Sequence, residues 1–295
     1  MRAYRLTGRS PRLVLDEAAP EPSAGPGQVV VELRAASLNY RDLLNARANA
    51  GLIPLSDGAG IVGAIGEGVR GWAPGDRVAI GFMPGWIEGP FSQAKQATAL
   101  GGDGVHGVLA ERIAVSAAAL VRIPEGITFA EAATWPCAGV TAWTALFERR
   151  ALQPGETVLL LGTGGVSIFA LQFAKAAGAR VVLTSSQDDK LERARALGAD
   201  VTINYRAVPD WDGAVLDATD GVGADLAVDV GGPATLNRTL RAVRHDGRIS
   251  LMGVLTGFAG EVDTAAILRK RITLQGIYVG PVRRSERSRG SRSSR

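Results

Sequence analysis

The chain has 295 residues, 46% of them hydrophobic, enough to bury a large core and most naturally to form two domains. Its single cysteine, Cys137, excludes an intrachain disulfide framework and a cysteine-rich zinc site. The net charge of +4 is concentrated in residues 281–295, which hold six Arg and one Glu (+5) and leave residues 1–280 at −1 (+4 less +5), so the nearly neutral body gives no reason to expect a nucleic-acid partner.

No apolar run approaches membrane-spanning length, and the stretch MRAYRLTGRS lacks the apolar core of a signal peptide. A cytoplasmic protein without a membrane partner is expected.

Residues 1–125 read as short strands at Leu13 to Leu15, Val29 to Leu33, Ile61 to Ile65, Arg77 to Ile80, Val108 to Val115 and Leu120 to Ile123. Turn signals such as Gly66-Glu67-Gly68 and Ala73-Pro74-Gly75-Asp76 separate them, which suggests a small, irregular β-barrel-like domain. Residues 82–107, rich in Gly, Pro and Ala, form a long connection whose Trp86 and Phe91 either cover a cleft or pack against the barrel. An Ala-rich helix follows around Phe129, and Pro136 is expected to break it, leaving Cys137 to Thr141 at a helix start.

From Thr157 strands and helices alternate. Strands at 157–161, 180–184, 201–204, 225–230, 248–252 and 273–279 describe an α/β domain with a complete doubly wound parallel sheet. The first of these strands runs into Gly162, Gly164 and Gly165, after which Val166, Ala170, Phe173 and Ala177 recur at helical spacing. Gly-x-Gly-x-x-Ser departs from the dinucleotide fingerprint at Ser167. The strand before it, the helix after it and the second strand beyond supply the context that the fingerprint requires, with the helix N-terminus aimed at a diphosphate.

The second strand ends in Thr184-Ser185-Ser186, with no carboxylate to accept from a free ribose 2′-hydroxyl. Small hydroxyls leave room for a 2′-phosphate, with Lys190 and Arg193 as counter-charges, so NADPH is favoured over NADH. Asp188 and Asp189 are open to two readings: N-cap and first-turn residues of the next helix, or ribose ligands.

The segments AASLNYRDLL, IPLSDGAG, GEGVRGWAPGDRVA, LVRIPEGITFAEAATWPCAGVTAWTAL, VDVGG, GRISLMGVLTG and LQGIYVG, in this order, resemble the medium-chain dehydrogenase/reductase superfamily, in its zinc-independent quinone-oxidoreductase-like or alcohol-dehydrogenase-like branch. The resemblance implies a GroES-like catalytic domain over 1–125 and a Rossmann domain over 126–280, with the cofactor between them. It also implies that Thr141, Gly253, Val254, Leu255, Tyr278 and Val279 lie along the nicotinamide half of the cofactor and Tyr205 nearer the adenosine phosphates. Where zinc-dependent relatives place a Cys, a His-Glu pair and a second Cys, this chain has Asn39, Ser56-Asp57 and Cys137, so no zinc is expected.

Without a metal Lewis acid, hydride transfer to a conjugated carbonyl or quinone suits the site better than reduction of a simple ketone. Asn39, Tyr40 and Arg41 are the candidates to orient and polarise the substrate oxygen, with Tyr40 as proton donor. The alternative is that Arg41 pairs with Asp42 or another local carboxylate and Tyr40 packs. In the family, Rossmann domains often pair edge to edge through the last strand, which implies a homodimer.

Two departures stand out. The loop within LLNARANAGLIPLSD is shorter than the family's. After LQGIYVG, where the family continues with a helix and further catalytic-domain segments, residues 281–295 read as a disordered basic tail, as a truncated or frameshifted reading frame would give; an incomplete catalytic domain of impaired activity is expected.

Overall fold

A computed structural model describes residues 1–9, 12–46, 50–102 and 104–283, and the chain divides into two compact units, 1–140 with the segment from Val279 onward, and 141–278. In the first unit β1 (Ala3–Leu6) and β2 (Leu13–Asp16) form an antiparallel pair. The strands β3 (Gln28–Ser37), β4 (Asp57–Ile65), β5 (Arg77–Ile80), β6 (Arg112–Ser116) and β7 (Leu120–Arg122) form an antiparallel sheet in the order β6-β3-β4-β5-β7. Val29, Val31, Val62, Val78, Ile80, Ile113 and Val115, all buried, make its core. Two short helices interrupt the strands, α1 (Tyr40–Asn45) after β3 and α2 (Gln93–Gln96) in the long connection. Trp86 of that connection is buried with Phe82, Met83 and Ala99, and its ring lies 4.9 Å from that of Phe91 in a tilted arrangement.

The helix α3 (Phe129–Ala133) opens on a reciprocal cap: Glu131 N–H donates to Thr128 Oγ1 at 3.2 Å and Thr128 N–H to Glu131 Oε2 at 2.8 Å. Its Ala132 and Ala133 pack with Ala59 and Ala79 of the sheet, which carries the first unit past residue 125 to Val140. Pro136 breaks the helix as expected: α3 ends at Ala133 and a new helical segment starts at Trp135. It sits at the start of a π-helical turn, Trp135–Gly139, that leads directly into α4 (Val140–Phe147).

The end of the described chain also belongs to this unit. Val282, buried, lies so close to Gly81 that a Cβ there would stand 2.5 Å from it, and Val282 and Arg283 donate backbone hydrogen bonds to Trp86 O (3.0 Å) and Ile87 O (3.2 Å). Pro281–Arg283 are therefore packed rather than part of a disordered tail; 284–295 lie outside the described residues.

The second unit alternates β8 (Thr157–Leu161), α5 (Gly165–Ala176), β9 (Arg180–Ser185), α6 (Asp188–Ala196), β10 (Val201–Asn204), α7 (Trp211–Asp217), β11 (Ala224–Asp229), α8 (Pro233–Ala242), β12 (Val243–Leu251), α9 (Thr264–Lys270) and β13 (Thr273–Gly276). All six strands are parallel, in the order β10-β9-β8-β11-β12-β13, the doubly wound sheet expected from the sequence. The order reverses between β8 and β11, and their carboxyl ends deliver the glycine turn after Leu161 and the Val230-Gly231-Gly232 turn to one edge of the sheet. Among the described residues no helix is long and apolar enough to cross a membrane.

One close approach in the first unit fixes the start of β4. Leu55 has a left-handed backbone (φ 69°) although its side chain is buried, and a Cβ on Gly107 would stand 1.9 Å from Leu55 O and 2.5 Å from Pro54 O. Gly107→Ala is expected to lower the unfolding free energy by about 2–3 kcal/mol or more in urea titrations. Gly276→Ala, where an added Cβ meets nothing within 4 Å, should stay within about 0.5 kcal/mol of the parent. Equal losses in the two variants would refute the packing argument.

Candidate active site

In the first unit, Ser37 pairs with Asp57 in the β3–β4 register, which brings Asn39, just beyond β3, to the start of β4. Asn39 is the N-cap of α1, its N–H donating to Asp42 Oδ2 at 2.7 Å. Asp57 is fully buried; its Oδ1 accepts from Ser56 Oγ at 2.6 Å and its Oδ2 from the Cys137 N–H at 3.0 Å. Asn39 Nδ2 is buried and has no hydrogen-bond partner within bonding distance among the described residues, yet lies near enough to favour the ionised form of Asp57.

Burial dominates the electrostatics. It pushes the Asp57 carboxyl up to about 6, against the pull of Ser56, the Cys137 N–H and Asn39, with the neighbouring Asp42 adding to the rise. Burial, and then the Asp57 charge, hold the Cys137 thiol well above its ordinary value, with Arg41 acting weakly the other way. Asp42 is likewise raised by burial, opposed by the Asn39 N–H and Arg41.

Of the three expected catalytic residues, Asn39 and Arg41 flank this cluster and Tyr40 is half exposed. Arg41 takes the local role that the sequence left open: Nη1 donates to Leu100 O at 2.9 Å and stands 3.8 Å from Asp42 Oδ1, and the guanidinium lies 4.7 Å from the Phe82 ring centroid. Residues 47–49 of the shortened loop lie outside the described residues.

The donor set does not fit zinc. A catalytic zinc takes thiolates, imidazoles or free carboxylates. Here there is one thiol and no imidazole, both oxygens of the one buried carboxylate already accept hydrogen bonds, and Asn39 and Ser56 are weak neutral donors. His106 and His245 are exposed elsewhere, and His106 Nδ1 accepts the Ile53 N–H at 3.1 Å.

The second unit offers a fit for a dinucleotide. Gly162 (φ 75°) and Gly164 both face open space where a Cβ would stand, and Gly164 begins α5 without a capping side chain, which leaves N–H groups free for a diphosphate beside Gly165 and Val166. Ser167 explains its own departure from the fingerprint: it is fully buried and donates to Leu161 O at 2.7 Å, filling the helix–strand contact that a glycine would leave bare.

At the next strand end Ser185 is buried with its Oγ 3.3 Å from Thr163 Oγ1, Ser186 is half-buried, and Lys190 and Arg193 are exposed. Tyr205 N–H donates to Ser185 O at 3.0 Å, so the structure brings Tyr205 beside this strand end. Asp188 and Asp189 occupy the first turn of α6, but the N-cap is Gln187.

Thr141 is buried at the start of the second unit, and Tyr278 is half exposed at its end. Val279 is buried in the first unit, packed with Phe82, Met83, Trp86 and Val140 on a left-handed backbone (φ 54°). Gly253 abuts the β11 turn so tightly that a Cβ would stand 1.6 Å from Val230 O; Val254 follows half-buried and Leu255 exposed.

Sequence reasoning missed the residue that holds this turn. Asp229 is fully buried, its Oδ1 accepting from Gly231 N–H (2.9 Å), Gly232 N–H (3.0 Å) and Thr235 Oγ1 (2.7 Å) and its Oδ2 from Thr239 Oγ1 (2.7 Å). The Asp229-Val230-Gly231-Gly232 sequence at a strand end was the available signal.

A doubly wound sheet with an open glycine turn at its switch point is an arrangement that binds nucleotides. A model of the alcohol dehydrogenase GroES-like domain matches residues 25–125 and one of zinc-binding dehydrogenases matches residues 165–290. A zinc-type alcohol dehydrogenase-like protein of Schizosaccharomyces pombe is 43% identical over 269 residues, covering 87% of this chain and 78% of that protein. The crystal structure of a putative alcohol dehydrogenase from Sinorhizobium meliloti superposes with a TM-score of 0.89 at 41% identity, covering 98% of this chain and 87% of the other. A quinone oxidoreductase of Pseudomonas syringae gives 0.78 at 28% identity, covering 94% and 81%. The chain belongs to the medium-chain dehydrogenase/reductase superfamily, in its alcohol dehydrogenase-like and quinone oxidoreductase-like branch, and is an NAD(P)-dependent oxidoreductase.

The raised Asp57 carboxyl carries a pH signature. The folded chain holds this proton up to about 6 while the unfolded chain releases it near the ordinary value of 3.8. The associated stability is thus fully present below about pH 4 and lost as pH rises through 6, a change of roughly 3 kcal/mol. In urea unfolding from pH 4 to 7, the stability of the parent relative to Asp57→Asn should fall by about that amount; a constant difference would show that Asp57 titrates normally.

Proposed function

We propose that this chain is an NADPH-dependent oxidoreductase that transfers hydride to a conjugated carbonyl or quinone without zinc. The donor set around Asp57 carries the reading: one thiol, one carboxylate with both oxygens bonded, one amide, one hydroxyl and no imidazole. Such a group cannot supply Lewis-acid charge, so the substrate must bear its developing negative charge on an atom that a neutral donor can stabilise. A conjugated acceptor does this, because hydride addition at its β-carbon gives an enolate whose charge is shared between oxygen and the α-carbon, a far weaker base than the alkoxide a simple ketone would give.

NADPH, held by the Gly162–Val166 turn and the Ser185–Ser186 strand end, would supply the hydride. Asn39 Nδ2, buried and unpartnered, is the donor suited to the substrate oxygen. Asp57, held by Ser56 Oγ and the Cys137 N–H, lies beside Asn39. The half-exposed Tyr40 hydroxyl returns the proton.

The alcohol dehydrogenases among the relatives favour a second reading, turnover of a simple alcohol–carbonyl pair. NADPH oxidation with enals, quinones and simple ketones decides between them. Preferred turnover of enals or quinones, unaffected by chelators and with no stoichiometric zinc by elemental analysis, is expected. Preference for a simple ketone would support the second reading, one zinc per chain would overturn the metal-free site, and NADPH binding without turnover would leave a cofactor-binding protein.

A homodimer through β13, the sheet edge where Leu274 is exposed, belongs to the same proposal, and sedimentation at the mass of one chain would count against it.

For the cofactor, Lys190→Ala should weaken NADPH about tenfold or more with little effect on NADH, since a charge-assisted phosphate contact is worth roughly 1.5–3 kcal/mol. Equal affinity of the parent for both cofactors would sink the phosphate reading.

A further inference from the structure

The strand end that chooses between the two cofactors contains a carboxylate that the NADPH reading must account for. Asp188 is the first residue of α6, three positions beyond Ser185, and an ionised acid there would accept from a ribose 2′-hydroxyl and repel a 2′-phosphate. The structure shows where that carboxylate is engaged. Asn204, the last residue of β10, pairs in register with Ser185, and its Nδ2 donates to Asp188 Oδ1 at 2.7 Å. Its Oδ1 accepts the Arg206 N–H at 3.0 Å, so both ends of the amide are used and the nitrogen is the end presented to the acid. Tyr205 N–H, donating to Ser185 O, locks this turn onto the end of β9.

We propose that Asn204 is a cofactor-selecting residue: by holding the Asp188 carboxylate against the end of β10, it keeps that acid from the adenosine ribose and leaves the strand end to the hydroxyls of Ser185 and Ser186. The inference rests on the reading that this strand end receives the adenosine ribose. Its direction is specific. Freeing Asp188 strengthens NADH and weakens NADPH, whatever the ratio in the parent.

Fluorescence titration of NADPH and NADH with the full chain tests this. Asn204→Ala should shift the ratio of dissociation constants toward NADH by about fivefold or more, the scale of one hydrogen bond to a charged group. Adding Asp188→Ala in that background should return the ratio to the parent value. A ratio within twofold of the parent in Asn204→Ala, or a shift that persists in the double variant, overturns the proposal.

Asp188→Ala alone gives an independent arm should Asn204→Ala fold poorly. A restrained acid predicts a ratio within twofold of the parent, whereas a loss of NADH affinity alone would mean that Asp188 already contacts the ribose. Equal affinities in the parent would defeat the phosphate reading only, because each shift is measured from the parent.

Discussion

A carboxylate buried as completely as Asp57 is costly unless hydrogen bonds or protonation compensate it, and here both do. The compensation organises the first unit. Ser56 donates from the same strand, the Cys137 N–H from a segment eighty residues further on, and the Asn39 amide lies close by on the loop after β3. The break after α3 has a physical role within this arrangement. A regular α-helix continued from α3 would have used the Cys137 N–H in its own ladder, whereas the break after Ala133 places Cys137 in the first turn of the segment Trp135–Gly139 and leaves that N–H for Asp57.

The second unit solves a related problem with backbone. Asp229 is as buried as Asp57 but accepts four hydrogen bonds, two from the glycines that follow it and two from hydroxyls of α8. It draws the N-terminus of α8 and the β11 turn together, and the turn after β12 then closes on them, Thr256 N–H donating to Gly231 O at 3.0 Å. The neighbouring turn at Gly162 and Gly164 is organised in the opposite way, by the absence of side chains. One turn is fixed by a carboxylate and the other left open by glycine, both on the same edge of the sheet.

The periodic elements were legible from sequence: the six parallel strands, the helix after the glycine turn and most strands of the first sheet follow from apolar runs bounded by turn residues. Local propensity did not reveal what depends on distant partners. Pro136 marked the helix break but not the use of the Cys137 N–H, whose acceptor lies far away in sequence, on Asp57. Asp188 read ambiguously because Asn204, which engages it, belongs to another strand. Pro281–Arg283 read as part of a tail because Val282 alone looked too little to hold a segment, yet Gly81 leaves room for that one side chain and the backbone of 86–87 supplies two acceptors.

The position of Asp57 depends in turn on strain. Leu55 adopts a backbone that L-residues avoid at a cost of about 1 kcal/mol, although its buried side chain rules out glycine as an easy replacement. Two glycines make the conformation accessible: Gly101 and Gly107 approach the Leu55 backbone so closely that neither could carry a Cβ unchanged. Val108 N–H then donates to Leu55 O at 3.0 Å and Leu109 N–H to Pro54 O at 3.1 Å, pinning the turn from outside. The side chain of Leu55 enters the core beside Val108 and Leu100, and Arg41 bonds Leu100 O. Strain at one residue is therefore shared by the segments that carry Arg41, Asp57 and the glycines of the long connection, and a change in any of them reaches the Asn39 amide through packing rather than through direct contact.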